Sequence, residues 1–202
     1  MVASSREARA GARRRWLTAV CALVLASCSV GHGEGEVRGT VFIADCRREG
    51  PYELSPTAFL AQAAEQVLTV RVQRGSDMEV RSDGLAVIVE DATLVKRMLL
   101  GQDIPIAVPL GGDLGPRVDL TLYLNESCPA ERDATPVVLG AVSGIIRFHE
   151  IYAPEVDKKE VRIQADLRDV RFEDPRTDDR WAVLDGTFDF LYVRGSPAQR
   201  FP

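Results

Sequence analysis

Val118-Asp119-Leu120-Thr121-Leu122-Tyr123-Leu124 alternates apolar and polar side chains without a break. Successive residues of a strand project to opposite faces, so this stretch buries Val118, Leu120, Leu122 and Leu124 together and turns Asp119, Thr121 and Tyr123 the other way. The same period of two recurs on both sides. Towards the C-terminus, Val161, Ile163, Ala165 and Leu167 alternate with Arg162, Gln164, Asp166 and Arg168, until Asp169 and Val170 shift the phase as a β-bulge does. Ala141 to Ile151 and Trp181 to Val193 are further long strand-like stretches. Towards the N-terminus, Val37, Gly39, Val41 and Ile43 alternate with Arg38, Thr40, Phe42 and Ala44, ahead of a turn cluster from Asp45 to Pro51.

Between these runs the signals are more varied. Ser55 can cap a helix, Pro56 suits its first position, and Thr57 to Gln66 is alanine-rich with Phe59, Leu60, Ala63 and Ala64 at helical spacing, which predicts a short helix. Val67 to Arg74 reads as a strand. Met78 to Arg81 and Leu85 to Glu90 read as a hairpin turned by Ser82-Asp83-Gly84. Ala92 to Leu100 fits either a short helix or a bent strand. Ile104 to Val108, flanked and interrupted by Pro105 and Pro109, belongs at a sheet edge, where a missing amide costs no ladder bond. Glycines near the starts of strands, Gly39, Gly144 and Gly186 among them, mark bulges or close backbone packing. The expected fold class is mainly β, a single β-sandwich with one or two short helices, and a closed β-barrel is the alternative.

The first 28 residues are of another kind. Arg13-Arg14-Arg15 precede an apolar run from Trp16 to Ala26, which is shorter than the roughly 20 residues a membrane span requires. Leu25-Ala26-Ser27-Cys28 follows. This stretch resembles the signal peptide of bacterial lipoproteins. The resemblance implies cleavage before Cys28, acylation of its thiol and amine, and stable attachment to a membrane through several chains on one residue. It also implies a cell-envelope location, with the outer membrane favoured over the inner because Ser29, not an aspartate, follows Cys28. The division expected on this reading is 1–27 signal peptide, 28–36 lipidated cysteine and flexible tether, 37–195 β-domain and 196–202 C-terminal tail.

With Cys21 removed and Cys28 lipidated, Cys46 and Cys128 remain, and in an oxidising compartment such a pair is expected to form a disulfide. Neither has a second cysteine at metal-ligand spacing. Removing the five arginines and one glutamate of residues 1–27 leaves 20 basic and 29 acidic side chains, a net charge of −9. That sign argues against nucleic acid or an anionic membrane surface as partner.

No nucleophile elbow, zinc-protease helix or dinucleotide fingerprint occurs, and no cofactor is expected. His149 lies between Phe148 and Glu150; adjacent strand residues face opposite ways, so it reads as a sheet histidine rather than a base partnered by Glu150. The acidic turn holding Glu173, Asp174, Asp178 and Asp179 is a weak candidate for a metal, diluted by Arg176 and Arg180. Tyr123, Tyr152, Trp181 and Tyr192 are candidates for an aromatic platform. The functional expectation is a lipid-anchored, non-catalytic binding or structural domain whose partner is an envelope protein or glycan; the alternative is a small carboxylate-based hydrolase or a carrier of a hydrophobic ligand.

Overall fold

The computed structural model describes residues 33–75, 82–113, 115–129 and 137–193. Its strands are β1 (Gly33–Ile43), β2 (Arg48–Leu54), β3 (Ala58–Ala64), β4 (Val67–Gln73), β5 (Asp83–Val89), β6 (Ile104–Pro105), β7 (Val118–Leu124), β8 (Val138–Glu150), β9 (Val161–Asp174) and β10 (Thr177–Tyr192). A helical segment, α1 (Ala92–Leu94), widens into a π-helical turn over Val95–Leu99. The strands form one antiparallel sheet in the order β2-β1-β10-β9-β8-β7-β5-β4-β3, curled into a half-barrel, with β6 paired to β8 beside the main path. The mainly β, sandwich-or-barrel class read from the sequence is therefore the class observed.

Register explains both the core and the curl. On the concave side Phe59, Val72, Leu85 and Leu122 form one cross-strand row, and Ala61, Val70, Val87 and Leu120 form the next. Across the other half, Gly35 faces Phe188, Val37 faces Gly186, Gly39 faces Leu184 and Val41 faces Ala182. Each of these pairs sets a small residue against a larger one, so β1 and β10 accommodate bulky side chains without being pushed apart. A Cβ at Gly39 would lie 2.0 Å from the Val183 carbonyl oxygen, and one at Gly186 would lie 2.6 Å from that of Glu36. The curl brings Phe59 of β3 onto Phe190 of β10, with ring centroids 5.5 Å apart. Phe148, Phe172 and Phe188 are buried in the same core, all at 1 % exposure or less.

The bulge expected at Asp169 is present: Leu167 pairs with Gly186 and Val170 with Leu184, leaving Arg168 and Asp169 opposite Asp185, and Asp169 has φ +50°. Beyond Gly140, where β7 stops pairing, β8 takes β6 at Ile145 and Ile146. That placement agrees with the edge position expected for the proline-bearing segment, and it carries Ile104 and Ile106 into the core.

Several local expectations are corrected. Thr57 to Gln66 is not a helix: Ala58–Ala64 is β3, paired residue by residue with β4. Its alanines fit either period, and Phe59, Ala61 and Ala63 gain a ladder and a concave face that an isolated helix would lack. Asp83 and Gly84 do not turn a hairpin; they open β5, opposite Leu124 and Tyr123. Met78 to Arg81, the other arm of that expected hairpin, lies outside the described residues. The turn after β1 is shorter than Asp45 to Pro51, because Arg48–Leu54 is the edge strand β2. Gly33–Glu36, read as tether, belong to β1 and pair with Thr187 to Phe190. The expected acidic loop from Glu173 to Arg180 reduces to a turn at Pro175-Arg176, since Asp174 already pairs with Thr177.

Candidate functional site

The curl divides the convex surface into two halves of different chemistry. Over β1, β10, β9 and β8 the outward rows are charged: Glu34, Asp189, Gln164 and Glu150 lie across one level, and Glu36, Thr187, Asp166 and Arg147 across the next. Over β3, β4, β5 and β7 the corresponding rows are Gln62, Thr69, Ile88 and Asp119, then Leu60, Arg71, Ala86 and Thr121. There Arg71 lies over the Tyr123 ring, 5.3 Å from its centroid. Burial and the nearby Glu90 raise the Asp119 pKa.

The charged half holds a depression of about 360 Å³ lined by Glu34, Gly35, Gln164, Ala165, Asp166, Thr187, Phe188 and Asp189. His149 Nε2 meets Asp166 Oδ2 at 2.6 Å on its flank, and Arg162 pairs with Asp189. Further along, Arg147 and Arg168 share Asp103. The two guanidiniums hold the Asp103 carboxyl below its usual range, Arg168 more strongly than Arg147. Thus the carboxylates of Asp166, Asp189 and Asp103 each have a cationic or imidazole partner from a neighbouring element.

The residues singled out from sequence are dispersed rather than convergent. Cys46 and Cys128 form the expected disulfide, with Cα atoms 5.6 Å apart. His149 faces away from the concave side, as its position next to Phe148 implies, and its partner is Asp166, not Glu150. The acidic residues do not surround a point: Asp174 is buried and held by Arg176 and Arg180, while Glu173 bonds Arg171 on the convex side. Asp178 and Asp179 are exposed near the start of β10. Among the described residues no group of three or more His, Cys, Asp or Glu side chains is arranged to hold a metal ion. The aromatic residues are also separated. Trp181 stacks on Phe42 at 5.9 Å with Arg171 over its ring, Tyr152 is buried against Tyr192 at 4.6 Å, and Tyr123 lies under Arg71. Cys28 lies outside the described residues.

Two polar clusters, one buried and one half-buried, have no counterpart in the sequence reading. Asp83 accepts hydrogen bonds from the amides of Glu126 at 2.9 Å and Ser127 at 3.0 Å, from the Ser127 hydroxyl, and from the Tyr52 hydroxyl at 3.3 Å. Burial first, and then the charge of Asp83, drive the Tyr52 phenol far above its ordinary pKa. Lys96, on the π turn, donates to Asp157 at 2.7 Å and to the Ile151 carbonyl at 2.9 Å, and Asp157 also accepts from the Ala153 amide. The first ties the turn after β7 to β2 and β5, and the second ties the segment after β8 to the π turn. No protein-family model matches the chain, and no curated protein or solved structure matches it either.

Proposed function

We propose that this chain is a lipid-anchored lipoprotein of the bacterial cell envelope whose curled β-sheet is a non-catalytic binding or structural domain. The observation that carries the reading is the succession Arg13-Arg14-Arg15, an apolar run to Ala26, and Leu25-Ala26-Ser27-Cys28. Two features of the fold support it. The Cys46–Cys128 disulfide suits an oxidising compartment, and β1 begins at Gly33, five residues after Cys28. At about 3.5 Å per residue the folded domain then stands within about 18 Å of its anchor. Among the described residues no helix is long and apolar enough to cross a membrane.

The non-catalytic part of the reading is supported by the concave side, which is packed with aromatic and aliphatic side chains, and by the paired charges of the convex side. Among the described residues, the depression bearing Glu34, Asp166 and Asp189 is the observation on the side of an acid-based hydrolase. Its carboxylates at Asp166 and Asp189 are engaged by His149 and Arg162, which favours recognition of a polar envelope partner over proton transfer. Metabolic labelling with palmitate tests the anchor: label should enter the wild type and Cys21→Ala, and fail to enter Cys28→Ala. Equal labelling of all three, or none in the wild type, overturns the proposal.

A further inference from the structure

Antiparallel pairing fixes which parts of the chain meet at the end of the sheet where β1 begins. Gly33 stands opposite Phe190 of β10, Tyr192 opposite Val161 of β9, and Gln164 opposite Glu150 of β8. The π turn that follows β5 and the segment that follows β8 close this end, since Lys96 donates to Asp157 and to the Ile151 carbonyl. Gln66, in the β3–β4 turn, donates to Glu155 at 3.2 Å, and its carbonyl accepts from the Ala92 amide at 2.9 Å. These three connections form one cap over the strand ends. Its outer surface mixes apolar side chains with cations. Met98 is 64 % exposed, Leu100 and Val156 are 38 % exposed, and Leu191 and Val193, where β10 ends, are 45 % exposed. Five of the eight large hydrophobic side chains exposed among the described residues therefore lie at this end, more than singly scattered apolar residues account for. The three lysines of the chain are also here. Lys96 is tied to Asp157, while Lys158 and Lys159 are exposed, as is Arg97, and these three make no ion pair among the described residues.

We propose that this cap seats on the surface of a phospholipid bilayer, with Met98, Leu100 and Val156 entering the headgroup–acyl boundary and Arg97, Lys158 and Lys159 at the level of the phosphates. The inference rests on the lipid anchor at Cys28. What identifies the bilayer as the occupant is the length of chain between anchor and fold and the place where it enters. Five residues separate Cys28 from Gly33, a reach of about 18 Å, and they join the domain at the capped end. β1 runs 11 residues from there, about 37 Å, so the link is too short for the domain to stand on its opposite end. Net charge does not drive the contact. Glu65 and Glu160 share this end, and the mature chain carries 29 acidic against 20 basic side chains. Burial of the apolar side chains drives it, and the cations reach the phosphates on long flexible stems. The anchor makes the contact intramolecular, so a surface too weak to hold the membrane alone stays seated.

The test uses the full chain, purified from its native membrane and reconstituted into phosphatidylcholine vesicles with or without bromine on the acyl chains, a short-range quencher of tryptophan emission. Once Trp16 has left with the signal, the wild type emits from Trp181, which pairs with Phe42 near the far end of β1, and bromine should leave that emission unchanged. Met98→Trp should add emission that bromine lowers roughly two-fold, because an interfacial side chain seats ~5–10 Å into the headgroup–acyl boundary. Adding Leu100→Asp and Val156→Asp should abolish that quenching. Folding of each variant is checked by retention of the Cys46–Cys128 disulfide, and Val156→Trp is the second reporter if Met98→Trp does not fold. A chain that floats with the vesicles while bromine leaves the reporter unquenched overturns the seating and leaves the anchor standing. Quenching of Trp181 as strong as that of the reporter overturns it too, as does quenching that survives both aspartates. A chain that does not float with the vesicles overturns the anchor and the seating together.

Discussion

Asp83 is fully buried, and its carboxyl is satisfied there because four donors converge on it from β2 and from the turn after β7. Deleting such an acceptor strands two amides, a serine hydroxyl and a phenol at once, and a buried donor without a partner costs about 1–3 kcal/mol. Asp83→Ala should therefore lower the unfolding free energy by roughly 3 kcal/mol, read from urea midpoints, while Asp83→Asn retains an acceptor for the amides and loses less. Asp174 plays the same part at the β9–β10 turn, with a side chain at 0 % exposure between Arg176 and Arg180. The hydrogen bonds from Arg176 come first among the causes that hold its carboxyl well below the usual range. A depressed folded pKa contributes stability that is present above the unfolded value of about 4 and is lost as pH falls below it. Wild-type stability should thus drop between about pH 4 and pH 2; Asp174→Asn should start lower at neutral pH and show a shallower acid limb. Equal acid limbs in the two proteins would contradict this assignment.

At the scale of elements, the pairing of β1 with β10 depends on glycines placed opposite large side chains. Gly39→Ala would drive a Cβ into the Val183 carbonyl and the Leu184 side chain, and an overpacked core position of this kind costs on the order of 3 kcal/mol. Gly140, by contrast, has open space within 4 Å of a built Cβ and no positive φ, so Gly140→Ala should shift stability by no more than about 0.5 kcal/mol. Thermal denaturation of the two variants beside the wild type checks the contrast. The glycines near the strand starts were legible as close-packing positions, but which side chain each faces needed the register. The alternating strands β1, β7 and β9 were legible because one face is buried and the other is not, which writes a period of two into the sequence. β3 was misread because Ala58–Ala64 has a single polar residue, Gln62, too little to mark a face; tertiary pairing with β4 decided between two periods that its alanines satisfy equally. Asp83-Gly84 was misread because the carboxylate serves a partner about 40 residues away, at Glu126 and Ser127, instead of a local turn.

For the whole molecule, one disulfide spanning 82 residues clips the turn after β1 to the turn after β7, and chain entropy gives such a loop about 4–5 kcal/mol of stabilisation. That pairing was legible because compartment and cysteine count left two thiols. The polar pairs of the convex face were not: His149 and Asp166, or Arg162 and Asp189, meet only once strand order and register are known. Envelope location, anchor and folded domain fit together if the chain is cut before Cys28 and held to the membrane there. The most direct test is the mass of the N-terminal tryptic peptide of the protein purified from its native membrane. The account predicts a peptide running from Cys28 to Arg38 whose mass exceeds the unmodified value by a diacylglyceryl group and a further acyl chain. A peptide containing residues before Cys28, or one beginning elsewhere with Cys28 as a free thiol, would contradict it.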